Sequence, residues 1–377
     1  MLRYLTAGES HGECLSAIVD GLPAGLAINE DFINAQLARR QGGYGRSARQ
    51  QIETDRIHFT AGVRNGETIS GPVAFYIKNK DASIAERPAI TRPRPGHADL
   101  AGLVKYGRDD ARDILERSSA RGTASLVGAG ALAQLLLGEF GIRVISYVVN
   151  IGGLSADVKD KTIEAIEAAK AESLINCPNP AAESEIIELI NRATENKDTL
   201  GGIFEVVAVG LPPGLGSYAQ PERRLDGRLA QALMAIQAVK GVESGDGFAL
   251  ATRPGSEAHD EIFRDAEREG FKYYRKTNHA GGLEGGMTNG MPLVVRAVMK
   301  PIATLGRPLK SVDLAEKKAS EAAYERSDIT AVPAACVVGE AAVALVLADA
   351  FLEKFSGDAL GDIRAAYDAY LKRISQL

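Results

Sequence analysis

Cys14-Leu15-Ser16-Ala17-Ile18-Val19-Asp20-Gly21-Leu22-Pro23-Ala24-Gly25-Leu26 reads as a short strand closed by a glycine-proline turn, and Asp31 to Gln41 then shows helical spacing through Phe32, Ile33 and Leu37. The same order returns half a chain later. Phe204 to Val209 is an apolar strand, Gly210-Leu211-Pro212-Pro213-Gly214-Leu215 nearly copies the turn, and Leu225 to Val239 reads as an amphipathic helix. Internal duplication and coincidence both account for two such turns.

Strand patterns at Ile52 to Val63, Pro72 to Lys78, Arg143 to Val149 and Pro292 to Met299 alternate with helical ones at Gly122 to Phe140, Cys336 to Phe355 and Leu360 to Ile374. Asp160 to Ser173 and Glu183 to Asn196 read as charged, peripheral helices. Strands occur in clusters as well as singly, so an α+β sandwich of sheets and helices fits better than a regular doubly wound sheet. No low-complexity linker divides the 377 residues, and one large domain over 1–377 is expected.

Hydrophobic residues at 45% and charged residues at 25% are ordinary for a folded domain. The richest apolar run, Val337 to Leu347, is interrupted by Glu340 and reads as a core helix, so no membrane segment is expected. The first residues run directly into a glycine motif without a signal-like apolar stretch, which points to the cytoplasm. Cys14, Cys177 and Cys336 lack ligand spacing, so neither a disulfide framework nor a metal site is indicated. The net charge of -5 argues against a surface that embraces nucleic acid. Yet arginines gather at Arg39, Arg40, Arg46, Arg49 and Arg56, and again from Arg87 to Arg121. A local cationic funnel in an acidic protein suits a small, multiply charged anion.

Two of the five histidines lie in glycine-dense segments without periodicity, Gly8-Glu9-Ser10-His11-Gly12 and Arg94-Pro95-Gly96-His97-Ala98-Asp99. With an ordinary pKa of about 6.5 they suit proton exchange near neutrality, although a lone histidine is as well explained as a core or surface residue. In Arg39-Arg40-Gln41-Gly42-Gly43-Tyr44-Gly45-Arg46 guanidinium groups flank a glycine loop; a helix C-terminus explains Arg39, Arg40 and Gly42, but not a further arginine at Arg46. Helical spacing would align Asp113, Arg117 and Arg121 on one face, with Ser118 and Ser119 offering hydroxyls beside them. Thr277 to Gly290 is too glycine-rich for regular structure and reads as a loop that moves or lies against a flat ligand. Arg326-Ser327-Asp328 sets a carboxylate beside a cation; it is either a salt-bridge partner or, if desolvated, a base. There is no Walker or Rossmann glycine motif.

Taken together, Gly8 to Gly12, Arg39 to Arg46, Arg92-Pro93-Arg94-Pro95-Gly96-His97-Ala98-Asp99, Glu116-Arg117-Ser118-Ser119-Ala120-Arg121, Gly285-Gly286-Met287-Thr288-Asn289-Gly290 and Arg326-Ser327-Asp328 resemble chorismate synthase, in the family's order and over nearly the whole chain. The resemblance implies a lyase that makes chorismate from 5-enolpyruvylshikimate 3-phosphate by anti 1,4-elimination of phosphate. Reduced FMN is required, without net redox change. It implies FMN contacts from Arg117, Ser118, Ser119, Gln237, Ala238, Gly285, Lys300, Pro301, Ile302, Ala303, Thr304 and Arg326. Ser10, Arg40, Arg46, Arg49, Arg94 and Arg121 would bind substrate or NADP. His97 would assist the leaving phosphate, His11 would give a proton toward the reduced flavin, and Asp328 would help remove the ring hydrogen, directly or through flavin N5. A homotetramer is implied, as is an external flavin reductase, with NADPH as an indirect reductant. Gln237 and His279 stand where many relatives have asparagine, and the stretch from Ile84 to Arg92 is shorter than in many. Two other readings remain at this point, an anion- or RNA-binding protein and an FMN oxidoreductase.

Overall fold

The computed structural model describes residues 1–46, 54–158, 161–325 and 327–377. Strands β1 (Arg3–Gly8), β2 (Cys14–Asp20), β3 (Ile57–Ala61) and β4 (Val73–Lys78) form one antiparallel sheet in the order β1-β2-β4-β3. Strands β5 (Arg143–Ile151), β6 (Gly202–Val209), β7 (Val239–Ser244) and β8 (Leu293–Met299) form a second in the order β5-β6-β8-β7, extended at the β5 edge by Leu154–Ser155. The two orders are the same. Helix α1 (Glu30–Gln41) follows the first turn, and the first half ends in α2 (Asp99–Tyr106), α3 (Arg112–Ser118) and α4 (Thr123–Gly138). The second half holds the hairpin α5 (Ile163–Ala171) and α6 (Pro180–Glu195), then α7 (Leu225–Met234), α8 (Val332–Lys354) and α9 (Leu360–Ile374). Helix α4 packs on the first sheet, α8 on the second, and the two pack on each other to form the sandwich.

Both turns are closed by the same hydrogen bonds. Gly21 and Gly210 take φ of +96° and +80°, and a Cβ there would come within 2.4 Å of the Met1 carbonyl oxygen or 2.3 Å of that of Gly141, so only glycine ends these strands. Thr68 Oγ1 accepts from Leu26 N and donates to the Pro23 carbonyl; Thr288 Oγ1 accepts from Leu215 N and donates to the Pro212 carbonyl. The halves therefore repeat one architecture, which decides the open question in favour of duplication. Thr288 belongs to a small hairpin, Leu283–Glu284 with Met287–Thr288, as Thr68 belongs to Val63–Arg64 with Glu67–Thr68. The Thr277 to Gly290 loop is thus irregular except for this hairpin of two-residue strands. Gly285 and Gly286 supply the positive φ values of the hairpin's turn.

Three expectations change. The helix from Leu225 stops at Met234, because Val239 is drawn into β7 opposite Met299 and Ala238 turns the chain at φ +67°. Asp113, Arg117 and Arg121 do not share a face: Ser119 is extended and its Oγ accepts from Arg121 N, so α3 ends and a single tight turn precedes α4. The α5–α6 hairpin is only partly peripheral, since Ile186 and Ile190, one helical turn apart on α6, are buried in the main core.

Helix α8 is long and apolar enough to cross a membrane, yet 89% of its most apolar window is buried inside the fold. It crosses α4 at Gly130, where a Cβ would lie 2.3 Å from Ala341 Cβ and 2.8 Å from the Ala341 carbonyl oxygen. Gly130→Ala is therefore expected to destabilise the fold by about 1–3 kcal/mol, because overpacking of a backbone contact outweighs the gain of about 1 kcal/mol in helix propensity. An unchanged urea midpoint would contradict this close approach.

Candidate active site

The end of α1 and the tight turn before α4 bring two arginines onto one carboxylate. Arg40 Nη1 and Arg121 Nη1 reach Asp55 Oδ2 at 3.3 and 2.7 Å. Arg40 Nε also donates to Thr123 Oγ1 at 2.9 Å. All three charged side chains are buried. Burial pushes Arg40 down to about 9, Asp55 opposes this, and the nearby charges of Arg121 and Arg46 push further down. Such a site gains from another anion, since cations outnumber carboxylates. Arg46 pairs with Asp328 Oδ2 at 3.2 Å, and its buried Nε has no hydrogen-bond partner among the described residues. Arg46 also lines a cleft of about 730 Å³ with Gly43, Gly45, Asn191 and Ser327. Neither Arg39 nor Arg40 is the solvated helix end that a simple cap would give: Arg39 turns inward to Glu340 of α8.

Asn79 joins this cluster to the first glycine segment. Its Oδ1 accepts from Arg121 Nε at 2.9 Å while its Nδ2 donates to the carbonyls of Gly12 and Glu9. His11 is buried beside Glu116 of α3, with Nδ1 at 2.8 Å from Oε1 and its backbone N–H donating to Oε2 at 2.8 Å. Burial alone would raise the Glu116 carboxyl, but the hydrogen bonds from the His11 ring and backbone, with the His11 and Arg112 charges, hold it below its ordinary value. Ser119 Oγ donates to Ser10 Oγ at 3.2 Å, and the buried Ser118 Oγ has no hydrogen-bond partner among the described residues. Arg117 donates to the carbonyls of Thr6 and Gly8 and faces a second cleft, about 430 Å³, together with Gln237, Gln231 and Tyr4.

Across the site, Arg94 and His97 converge on the fully buried Asp99 at the start of α2. His97 Nδ1 is 2.5 Å from Asp99 Oδ1, while Arg94 N and Nε donate to Oδ2 at 3.0 and 2.9 Å. Burial would raise this carboxyl; hydrogen bonds from His97 and Arg94 and their charges hold it well below the usual range. Arg94 Nη1 donates to Thr304 Oγ1, Ser327 Oγ donates to the Thr304 carbonyl, and Lys300 Nζ donates to the Gly96 carbonyl at 2.6 Å. Lys300 N donates in turn to the Ala238 carbonyl, Thr199 Oγ1 holds Ile302, Pro301 lies against Gly201, and Ala303 lies near Gly96.

Two chains of contacts therefore stand near each other: one runs from the Gly12 carbonyl, next to His11, through Asn79, Arg121 and Asp55 to Arg40, and the other from Ser327, next to the Arg46–Asp328 pair, through Thr304 and Arg94 to His97, with the charges of Arg40 and Arg46 close enough to repel. Gly285 is part of neither. Leu225 N at the start of α7 bonds the Gly286 carbonyl, whereas Gln237 follows the far end of that ten-residue helix, roughly 15 Å away at 1.5 Å per residue. Arg49 and Arg326 lie outside the described residues. His279 pairs with Asp246 and Arg253, in a separate cluster. Sequence reasoning gave no role to Asp55, Asn79, Glu116 or Asp99. The last two stand inside the quoted motifs; Asp55 and Asn79 carry no local signal. Among the described residues no group of three or more His, Cys, Asp or Glu side chains is placed to hold a metal ion.

A sequence model described as chorismate synthase matches residues 2–352. Chorismate synthase of Desulforudis audaxviator (strain MP104C) is 55% identical, with 99% of this chain and 98% of the relative covered; that of Pelobacter propionicus (strain DSM 2379 / NBRC 103807 / OttBd1) is 53% identical over the whole of both. A crystal structure of chorismate synthase superposes with a TM-score of 0.83 at 42% identity, covering 100% of this chain and 99% of its own. From its two matched sheets to the arginine clusters beside two histidines, the chain belongs to the chorismate synthase family.

Proposed function

We propose that this chain converts 5-enolpyruvylshikimate 3-phosphate to chorismate by anti 1,4-elimination: a ring C–H bond and the C–O bond to phosphate break, a new double bond forms, and phosphate leaves. The observation that carries the reading is the pair of arginine-rich clusters, Arg40 with Arg121 beside the His11 segment and Arg46 with Arg94 leading to His97. Arg40, Arg46, Arg94 and Arg121, with Arg49 and Ser10, bind the phosphate and carboxylates of the substrate or an NADP phosphate. His97 protonates or hydrogen-bonds the departing phosphate, which lowers the charge that must be expelled. Asp328, held beside Arg46, helps take the ring proton.

Reduced FMN fits the donor set. The Arg117 and Gln237 cleft, about 430 Å³, lies in the range of ligand pockets, and the adjacent residue in the chain, Ser118, has a buried hydroxyl without a hydrogen-bond partner among the described residues. Arg117, Ser118, Ser119, Gln237, Ala238, Lys300 to Thr304, Arg326 and Gly285 would hold the cofactor. When bound it supplies electron density that stabilises an electron-poor reacting carbon. His11 would hold a proton available toward the bound cofactor. Because Gly285 stands apart within one chain, its contact fits best in an assembly, here the homotetramer. The main core draws residues from Leu2 to Tyr367, which supports one domain over 1–377. The cytoplasm, an external flavin reductase and NADPH as indirect reductant complete the reading.

The test is phosphate release from 5-enolpyruvylshikimate 3-phosphate under anaerobic conditions. Release is expected only with reduced FMN, at many phosphates per flavin. Stoichiometric flavin oxidation, or release without flavin, would refute the proposal.

A further inference from the structure

We propose that Glu116 and Asp99 are positioning residues: each buried carboxylate accepts the Nδ1–H of one histidine, His11 and His97 respectively, and so makes Nε2 the proton-exchanging nitrogen of both rings. The proposal rests on the reading of His11 and His97 as proton-transfer groups.

At His11 one carboxylate grips the residue twice. Glu116 Oε1 lies 2.8 Å from Nδ1, and Oε2 accepts the backbone N–H of the same residue at 2.8 Å. Ser10 N donates to the Glu116 carbonyl at 2.9 Å, so the main chains are tied as well. Ring rotation would break the first contact while the second stays, leaving a buried acceptor unsatisfied. Arg112 stands 3.7 Å behind Glu116, and the opposite ring nitrogen, Nε2, is turned toward Asp81 at 3.9 Å.

At His97 the geometry decides which atom holds the proton. Asp99 Oδ1 is 2.5 Å from Nδ1, and an ionised carboxylate has no proton to give, so the contact attracts only when Nδ1 is the donor. Arg94 Nη2, itself only a donor, lies 3.1 Å from Nδ1 and 3.0 Å from the same Asp99 oxygen. Two donors thus share one acceptor. Asp99 begins α2, where exposed backbone N–H groups favour the ionised form. A base oriented by a third group through its far nitrogen is a general catalytic arrangement.

The test is ¹⁵N magnetic resonance of the full-length protein labelled in histidine, with signals assigned by His11→Gln and His97→Gln. At pH 8 both rings are expected to show a protonated Nδ1 and an unprotonated Nε2. Glu116→Gln and Asp99→Asn, whose amides can donate to Nδ1, are each expected to shift the matching ring alone toward the Nε2–H form. They should lower kcat on the order of 10²-fold with KM held within about threefold. An Nε2–H form in the wild-type protein at either ring overturns the proposal. So does a folded variant that keeps its tautomer and kcat. If a variant fails to fold, the wild-type spectra decide; and a wild-type protein without phosphate release would sink the assigned activity while leaving the tautomers readable.

Discussion

His97→Ala is expected to slow phosphate release on the order of 10²–10⁴-fold, the ordinary contribution of a general acid. The fold should survive it. Asp99 keeps three hydrogen bonds from Arg94, through N, Nε and Nη2, so no buried carboxylate is stranded. The His97 side chain is itself partly exposed, and the cost in stability should stay near ~1 kcal/mol. Most of the loss should fall on kcat, because Arg94 and the other arginines that bind the anion remain. His11→Ala should slow turnover on the same order, 10²–10⁴-fold. It should also cost about 1–3 kcal/mol in stability, since the buried Glu116 loses its ring donor. Full turnover of either variant with reduced FMN supplied would remove that histidine from the reaction.

The second large effect lies in the core. Glu340 on α8 is almost wholly buried, yet its carboxylate takes Arg39 Nη1 and Nη2 at 2.9 and 3.1 Å, Gln134 Nε2 at 2.9 Å and Ser146 Oγ at 2.9 Å. These partners come from α1, α4 and β5, so one side chain ties both halves together. Glu340→Ala is expected to destabilise the protein by about 2–4 kcal/mol, because it leaves the partly buried Arg39 with only Gln36, and the half-buried Gln134 and buried Ser146 without this acceptor. Chemical unfolding followed by circular dichroism would measure it, and a loss below ~1 kcal/mol would mean that the pocket relaxes without cost.

The pH dependence follows from the same contacts. Burial alone would raise the Glu340 carboxyl, but the charge and hydrogen bonds of Arg39, the Lys170 charge and the Ser146 hydroxyl hold it below its ordinary value. A group lowered on folding contributes stability that is fully present above the unfolded value, about 4.3, and is lost as pH falls through the lower folded value. Glu340→Ala should therefore lose less stability than the wild-type protein between neutral pH and the acid range. Parallel pH profiles for the two would contradict the assignment.

Much of the architecture was legible because it depends on short-range rules. The strand at Cys14 to Asp20 and the helix at Leu360 to Ile374 stand where their periodicity puts them, within a residue, and the paired Gly-Leu-Pro turns marked the repeat. The failures share a cause. Val239 left a helical pattern for a strand because Met299 lay opposite, and within the Thr277 to Gly290 loop a short hairpin forms at Leu283 to Thr288, whose threonine locks a turn about 75 residues earlier in the chain. Both depend on a distant partner that no local pattern records.

From its sequence alone this chain declares which residue types are present for the chemistry: imidazoles in glycine-dense segments, guanidiniums in clusters, and motifs in a recognisable order. Only the folded molecule shows that Asp55 is shared by Arg40 and Arg121, that Asn79 bridges to the His11 segment, and that Glu116 and Asp99 hold the two rings. The reason is physical. Residue type and spacing follow from covalent order, whereas a buried charge finds its partner wherever packing excludes water, and His11 lies 105 positions from Glu116.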